Sequence, residues 1–236
     1  MWIVGKQINN IVVTQWGSFS PPYKTEKAMN ATNKDGLAIA RRLSDNKYNF
    51  LNAQGKLLSD EWFDRLGIFS DGFARVEREG KCNYIGEDGK LLSKQWFEWV
   101  DDFENGFAIV RREDKLRNLI NKQGEILSDE WFDWISGFYD GFSVVGRENN
   151  QHNYIDKQGN ILSNEWFKWL DYFHNGIARV QRFDGSMNFI NEDGKIISDE
   201  WFRYVDYFDE YDLAVVQRTN GEMCKIDKQG KIVVRK

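Results

Sequence analysis

The sequence predicts an all-β repeat protein in which tandem repeats of about 35 residues each carry one short helical turn. The period is visible in turn glycines and, independently, in tryptophans. The glycines are Gly55, Gly89, Gly124, Gly159, Gly194 and Gly230. The tryptophans are Trp62, Trp96, Trp131, Trp166 and Trp201. A fixed internal period of this size is typical of architectures in which neighbouring copies bury each other's apolar faces.

The first element of each repeat is a predicted β-hairpin. The segments NYIGEDGKLLS, which begins at Asn83, and NYIDKQGNILS, which begins at Asn153, place two short apolar runs around a turn that ends in glycine. We expect this glycine to have a positive φ, because a β-branched residue would be strained in that conformation.

The second element is the segment around each tryptophan, where the apolar spacing changes. Trp96, Trp99, Val100 and Phe103 lie at positions i, i+3, i+4 and i+7, which predicts a helix of about two turns. Ser93 stands at the position of an N-cap. Acidic residues follow the equivalent serines in other repeats, where they would complement the helix dipole.

A third strand follows the glycine that ends the helical segment, as in FARVER, FAIVRR, FSVVGR and IARVQR. The repeat is therefore predicted to run strand, hairpin, helical turn. Because a single copy cannot bury its aromatic residues alone, the repeated tryptophans and phenylalanines are expected to form a continuous core between copies.

The two ends of the chain bear on how the array is organised. Residues 1–35 are predicted to be a degenerate repeat or capping segment, with an irregular loop at Pro21 and Pro22, and 36–236 a single repeat domain. The sequence has seven hairpins but six tryptophan segments, and both ends finish in hairpins. This count favours an open β-solenoid-like stack, with a β-propeller of six or seven small blades as the alternative.

Composition excludes several functional classes. The chain has 41% hydrophobic and 15% aromatic residues, which is typical of a folded protein, and its net charge of −5 argues against nucleic acid as a partner. No secretory leader or long apolar run is present, so neither export nor membrane insertion is expected. Cys82 and Cys224 lack partner motifs and are expected to be free thiols in a reducing, cytoplasmic compartment.

The repeat resembles the WG-repeat family of bacteria and phages. NYIDKQGNI from Asn153 and FSDGFARV from Phe69 match the family's strand, turn and third-strand pattern. The resemblance implies a β-repeat fold in the cytoplasm of a bacterial cell or a phage-infected host, and it carries no shared catalytic residues. The Trp-Gly dipeptide of the family is replaced in five hairpins by Tyr48-Asn49, Cys82-Asn83, Arg117-Asn118, His152-Asn153 and Met187-Asn188.

Two polar residues recur at fixed positions. The arginine column consists of Arg42, Arg78, Arg112, Arg147, Arg182 and Arg218. Each guanidinium is predicted to hold a carboxylate or carbonyl of a neighbouring repeat, with an anion-binding stripe as the alternative. The asparagine column consists of Asn49, Asn83, Asn118, Asn153 and Asn188, and is predicted to satisfy backbone groups.

A third recurring position is the most suggestive of binding. The aromatic strip consists of Arg65, Trp99, Trp134, Trp169 and Tyr204, three residues after each repeated tryptophan. Since this position accepts arginine, full burial is not required of it. Core packing and a flat surface for stacking on sugars, bases or a partner's side chains are the two interpretations.

No constellation for catalysis or metal binding is found in the sequence. The acidic residues near each tryptophan lack the alternating ligand spacing of calcium loops, and His152 and His174 occupy non-equivalent positions. We therefore expect a non-enzymatic repeat scaffold without cofactor or metal, whose extended surface binds another protein. A small-ligand module for an anion, nucleotide or carbohydrate, using the arginine column or the aromatic strip, is the alternative.

Overall fold

The computed structural model describes the backbone of residues 7–8 and 11–14 and all atoms of 38–52 and 54–233. In this part of the chain the protein is an all-β repeat protein of six small antiparallel sheets, each built from consecutive strands. Sheet 1 contains β1 (Gln7–Ile8), β2 (Ile11–Thr14), β3 (Ala38–Arg42) and β4 (Tyr48–Leu51). Sheet 2 contains β5 (Arg65–Ser70), β6 (Phe73–Arg78) and β7 (Lys81–Gly86).

The remaining sheets repeat the three-stranded pattern, and the last adds a fourth strand. Sheet 3 contains β8 (Trp99–Val100), β9 (Phe107–Arg111) and β10 (Arg117–Asn121). Sheet 4 contains β11 (Trp134–Ile135), β12 (Phe142–Arg147) and β13 (Gln151–Asp156). Sheet 5 contains β14 (Trp169–Leu170), β15 (Ile177–Gln181) and β16 (Met187–Asn191). Sheet 6 contains β17 (Tyr204–Phe208), β18 (Leu213–Gln217), β19 (Met223–Asp227) and β20 (Ile232–Val233).

The chain folds as two compact units. The first comprises Met1–Lys115 and Leu119–Ile126, and the second Leu116–Asn118 and Leu127–Lys236. Sheets 4, 5 and 6 all lie in the second unit.

Sheet 4 shows how one repeat is built. Trp134 of β11 pairs with Gly146 of β12, and the whole of β12 pairs with β13. After β13 the chain turns and runs back along this strand, so that Ile161 forms a bridge with Ile155. The chain then crosses to β14 and begins the next sheet. Each repeat thus contributes three strands and a returning segment.

The predicted helical turn is wrong, because the tryptophan segment is extended in the described repeats. The N–H of Cys82 donates to the carbonyl of Phe97 at 2.8 Å, and the N–H of Phe97 donates back at 2.9 Å. Trp99 and Val100 then pair with β9. A two-turn helix would leave most of its backbone groups without partners, whereas the extended route pairs them with two successive sheets. In the described residues the single helical element is a 3₁₀ turn at Glu148–Asn150.

The serines predicted as N-caps close turns instead. The Oγ of Ser93 accepts the N–H of Gln95 at 3.1 Å, with no helix after it. The same bond is made by Ser59, Ser128, Ser163 and Ser198. Serine is favoured here for the reason expected of an N-cap, because its side-chain oxygen accepts a nearby backbone N–H. The local structure, however, is a turn and not the start of a helix.

The asparagine column fixes these turns against the sheet, so the prediction that it satisfies backbone groups is confirmed. The fully buried Asn153 donates to the carbonyls of Ser163 at 2.7 Å and Glu165 at 3.1 Å. Its Oδ1 accepts the N–H of Tyr154 at 2.8 Å. The two donations recur at Asn49, Asn83, Asn118 and Asn188.

The core residue of each repeat is the phenylalanine after the tryptophan, which corrects the expectation that the tryptophans form the core. The phenylalanines are buried to within 1% exposure: Phe63, Phe97, Phe132, Phe167 and Phe202. The preceding tryptophans are only half-buried. Each extended segment places the two side chains on opposite sides, so only one of them can enter the core.

Aromatic contacts join one repeat to the next. Phe173 lies 4.7 Å from the rings of both Phe142 and Tyr154 in the preceding repeat. Phe208 stands 4.7 Å from Phe189 in the same way. The expectation that aromatic residues are covered by adjacent copies is therefore confirmed for these rings.

The turn glycines have φ between 72° and 89°, as predicted. Their conservation within the chain has a second cause, which is contact between successive turns. A Cβ on Gly159 would overlap the carbonyl oxygen of Leu127 in the preceding turn. Any other residue would therefore be strained and would also push two repeats apart.

The predicted capping segment 1–35 lies outside the described residues except for β1 and β2. The irregular loop predicted at Pro21 and Pro22 and the first repeat position, Trp16, also lie outside them.

Candidate interaction surface

The aromatic strip lies at the first residue of the outer strand of each described sheet after the first. Trp134, Trp169 and Tyr204 are 42%, 40% and 44% exposed, and all three belong to the second unit. In the first unit Arg65 is exposed and Trp99 is half-buried. The aromatic members of the strip are therefore most exposed in the second unit, on the outer strands of sheets 4, 5 and 6.

Local partners explain how each tryptophan is held. The Arg111 guanidinium lies 5.6 Å from the Trp99 ring and 3.3 Å from Glu98 Oε2. Trp134 instead faces Gly146, and His152 fills the space, with its ring edge-on to Trp134 at 6.4 Å. Burial lowers the pKa of His152, so this imidazole is held in its neutral form.

Trp169 borders a polar cluster that is centred on Arg179. The guanidinium lies 5.6 Å from the Trp169 ring and 3.6 Å from Tyr207 of the next repeat. It donates to Asp171 Oδ2 at 2.8 Å, and the hydroxyl of Tyr207 donates to the same oxygen at 2.7 Å. Burial would raise the pKa of Asp171, but the hydrogen bonds from Arg179 and Tyr207 outweigh it and lower the pKa.

The arginine column links glutamate and tryptophan. Arg147 forms a two-pronged pair with Glu130 in the returning segment of the preceding repeat and lies 3.7 Å over the ring of Trp166 in the returning segment of its own repeat. Arg182 pairs with Glu165 and lies 3.6 Å over Trp201. The hydrogen bond that Arg182 donates to Glu165 raises the pKa of Arg182. A planar guanidinium suits both contacts, which lysine could not make together.

The same arrangement recurs, with variations, at the other members of the arginine column. Arg78 pairs with Glu61 and lies 4.3 Å over Trp96. Arg42 lies over Trp62 but pairs with Asp45, and Arg218 pairs with Glu200 and Glu222. Arg112 pairs with Asp114 at 2.7 Å. The bidentate pair with a carboxylate of a neighbouring repeat that was predicted is present at Arg147 and Arg182, and the stacking contact lies within one repeat.

Comparison with known families agrees with this geometry. Four consecutive segments, residues 50–82, 84–115, 119–150 and 154–185, match the family described as WG containing repeat. Together they cover more than half of the chain. The protein belongs to the WG-repeat family.

The asparagine column stands one residue before each matched segment, at Asn49, Asn83, Asn118 and Asn153, and recurs at Asn188. At that place Asn188 donates to the carbonyls of Ser198 and Glu200, at 2.8 and 3.1 Å. The asparagine side chain therefore fixes the following turn, a role that glycine could not fill.

Structural comparison finds β-propellers that share the β-sheet architecture at low similarity. BamB from Moraxella catarrhalis is 13% identical with a TM-score of 0.30, covering 95% of this chain and 76% of its own. Hsv2 of Kluyveromyces lactis is 10% identical with a TM-score of 0.33, covering 83% and 72%. The computationally designed Ika8 protein is 14% identical with a TM-score of 0.33, covering 86% and 71%. Comparison with curated protein sequences gives no significant match.

The WG repeats of the second unit also expose tyrosines that sequence reasoning missed. Tyr139 and Tyr172 are both at least half exposed, with ring centroids 5.5 Å apart, and Tyr207 and Tyr211 are exposed as well. They were missed because Tyr172 and Tyr207 share a position, six residues after the repeated tryptophan, that is not tyrosine in the earlier repeats, while Tyr139 and Tyr211 lie at other positions. An excess of tyrosine in the second half, outside the repeated positions, is the signal that could have found them.

The described residues also include a small cavity and two free cysteines. A cavity of about 40 Å³ beside Arg179 is lined by Asp171, His174 and Asp209, and it is far smaller than a cofactor site. In the described part of the chain, no three His, Cys, Asp or Glu side chains stand close enough to hold a metal ion. Across those same residues, no helix has the length and apolar character to cross a membrane. Cys82 and Cys224 are free and half-buried, and burial raises the pKa of both thiols.

Proposed function

We propose that the protein is a non-enzymatic WG-repeat scaffold whose second unit binds another protein through the aromatic strip. One observation carries the proposal: three successive repeats each expose an aromatic ring, Trp134, Trp169 and Tyr204, at the same position of the same edge strand. Exposed tryptophan and tyrosine are costly in water and are enriched where proteins meet partners.

The rings are also preorganised. His152 holds Trp134, and Arg179 holds Trp169 together with Tyr207 of the next repeat. Binding by side chains that are already fixed loses less conformational entropy than binding by mobile ones. An aromatic surface on short paired strands therefore suits recognition better than it suits catalysis.

A small-ligand module has weaker support. The guanidiniums of Arg147 and Arg182 are already paired with glutamates and stacked on tryptophans, so an anion would have to displace both contacts. We keep the aromatic strip as the candidate site and regard the arginine column as the frame that holds adjacent repeats together.

We further propose that the repeats form an open β-solenoid-like stack. Support comes from the described residues of sheets 1 and 6, where each sheet consists of consecutive strands and includes no strand from the opposite end of the chain. Small-angle X-ray scattering tests this, since an open stack is elongated whereas a closed ring of small blades is disc-shaped.

Affinity capture with paired variants tests the binding function. The wild-type protein and the double variant Trp134→Ala/Trp169→Ala are used as baits in lysate of the native host. We expect a specific partner on the wild type that is lost from the double variant, with at least a ten-fold weaker affinity for the purified partner. Because both rings are about 40% exposed, the variant should keep its fold.

The matched control is Phe183→Ala, which removes an exposed aromatic ring at 52% exposure from the β15–β16 turn. It should retain the partner. Equal capture by all three baits would contradict a binding role for the aromatic strip.

A further inference from the structure

The last two repeats share a surface composition that the earlier ones lack. Strand register places Trp169, Gln181 and Met187 side by side across sheet 5. The same register places Tyr204, Gln217 and Met223 side by side across sheet 6. Each row is therefore aromatic, amide and methionine, without a charge.

Earlier repeats carry charge or a small residue in the same row. In sheet 2 the row is Arg65, Glu77 and Cys82, and in sheet 3 Trp99 faces Arg111. In sheet 4 the row is Trp134, Gly146 and His152. The combination of aromatic, amide and methionine is thus found in the rows of sheets 5 and 6, not in those of sheets 2 to 4, and is not required by the repeat.

The two rows are neighbours. Met187, which ends the first row, pairs through both its N–H and its C=O with Phe202 at 2.7 and 2.9 Å. Phe202 lies two residues before Tyr204, which begins the second row, and Arg203 lies between them. We name the surface formed by the two rows the amide–methionine patch.

Exposure and order both suit the patch to a protein partner. Met223 is 56% exposed, while Trp169 and Tyr204 are 40% and 44% exposed. The amide of Gln181 donates to the carbonyl of Gly185 at 3.2 Å, which orients the side chain and leaves its oxygen free to accept. Aromatic rings and methionine with few charges are the composition of interface cores.

Charge at the border identifies the kind of partner. The residue before each strip member is acidic in the earlier repeats, at Asp64, Glu98 and Asp133, but becomes Lys168 and Arg203 beside the patch. Both cations are exposed, and among the described residues neither is paired with a carboxylate. Two unpaired cations that border an uncharged apolar surface complement an acidic partner.

We propose that the amide–methionine patch binds an extended protein segment in which apolar side chains alternate with or adjoin Asp or Glu. This inference rests on the proposed binding function and specifies its partner. The apolar side chains would lie against Trp169, Tyr204 and Met223, and the carboxylates would pair with Lys168 and Arg203. Single-stranded nucleic acid fits less well, because it binds along a continuous positively charged groove, whereas only two cations border this patch.

The test begins with a display library of random peptides of about twelve residues, selected on the full-length protein. We expect enrichment of Asp and Glu next to apolar residues. The strongest peptide then serves as the probe in fluorescence anisotropy, and its affinity should fall as salt rises from about 50 to about 300 mM. Failure to enrich any peptide, or enrichment of basic ones, overturns the proposal.

Charge reversal locates the binding site. Lys168→Glu with Arg203→Glu should weaken probe binding by about ten-fold or more, since two attractive contacts become repulsive. Lys157→Glu with Lys195→Glu makes the same change at two exposed lysines in hairpin turns and should leave affinity unchanged. Circular dichroism and melting temperature verify that both variants are folded.

The outcomes separate this inference from the proposed function. If Trp134→Ala/Trp169→Ala abolishes probe binding while charge reversal does not, the strip binds peptides but the acidic-partner inference is overturned. If neither variant affects binding, both the proposed function and this inference are wrong. Tighter binding of an oligothymidine of about twenty nucleotides than of the peptide, at the same salt, also overturns the inference.

Discussion

The buried asparagine of each repeat forms hydrogen bonds to the backbone of the turn that follows its strand. Asn153 is fully buried and contacts its own strand and both ends of the turn that follows, through Ser163 and Glu165. Only a short side chain with both donors and an acceptor can make this set of bonds. The residue is therefore more constrained than the apolar residues around it, which tolerate substitution by others of similar volume.

Replacing Asn153 should be costly. Asn153→Ala leaves the carbonyls of Ser163 and Glu165 buried without donors, and we expect a loss of roughly 2–4 kcal/mol in unfolding free energy. Asn153→Asp should be no better, since a carboxylate cannot donate to carbonyls. Chemical denaturation measures both. The control is Asn160→Ala, an exposed amide that bonds Asp156 at 2.9 Å, with an expected loss below about 0.5 kcal/mol. Similar losses of unfolding free energy for Asn153→Ala and Asn160→Ala would be inconsistent with this role of Asn153.

Asp171 gives a pH-dependent contribution to stability. Its pKa is lowered in the folded protein by Arg179 and Tyr207 against the effect of burial. A carboxyl whose folded pKa is depressed stabilises the fold above its unfolded pKa of about 4, and this stability is lost as pH falls through the folded pKa. The unfolding free-energy difference between wild type and Asp171→Asn should therefore be largest near neutral pH and shrink in acid. A difference that stays constant from neutral pH to about pH 3 would argue against the ion pair.

At the scale of the element, the turns are the points where repeats touch. Gly159 has φ of 89°, and its Cα faces the carbonyl of Leu127 in the preceding turn. Gly141 has the same φ, but a Cβ there would meet open space. The two positions share backbone strain and differ in contact, so they form a matched pair.

Substitution of this pair separates strain from contact. Gly141→Ala should cost about 1–2 kcal/mol, which is the strain of a side chain in a left-handed conformation. Gly159→Ala should cost more than Gly141→Ala, because adjacent turns must also move apart. Urea denaturation of both variants measures the difference. Equal costs would mean that the turn contact contributes nothing.

Across the whole molecule, stability depends on coupling between neighbouring repeats. Core clusters extend over more than one repeat, as in the cluster that joins Tyr154, Phe167, Phe173 and Ile190. Trp201 packs against that cluster, and the guanidinium of Arg182 lies 3.6 Å over the Trp201 ring. Repeats that bury their aromatic residues only against neighbours unfold together over the length of that coupling.

Alanine substitution of Phe167 and of Trp166 tests which aromatic residue of the repeat contributes more to the core. Phe167→Ala empties a fully buried site and should cost about 3–5 kcal/mol, whereas Trp166→Ala removes a half-buried ring and should cost less. Trp166 contacts Arg147 and also Phe132, which belongs to the preceding repeat. Loss of the Trp166 ring should therefore loosen the junction between these two repeats specifically. Hydrogen exchange across residues 130–170 would show this. A larger cost for Trp166→Ala would restore the tryptophan as the core residue.

The sequence by itself determined the period, the hairpins, the positive-φ glycines, and the role of the asparagine column. These features were predictable because each depends on local geometry or on a residue type with few alternatives. A glycine at the end of a turn indicates a positive φ, and an amide repeated in every copy indicates hydrogen bonds that every copy needs.

Only the tertiary structure decided that the tryptophan segment is extended, that Phe167 and its equivalents form the core, and that Trp134, Trp169 and Tyr204 are exposed. The spacing of Trp96, Trp99, Val100 and Phe103 fits a helix, and nothing local rejects it. The extended form prevails because the partners of its backbone groups, Cys82 and β9, lie on two different sheets. Hydrogen bonds to strands that are distant in sequence produce no recognisable residue pattern in the tryptophan segment itself. Which of its side chains face solvent could therefore be assigned only from the arrangement of the sheets.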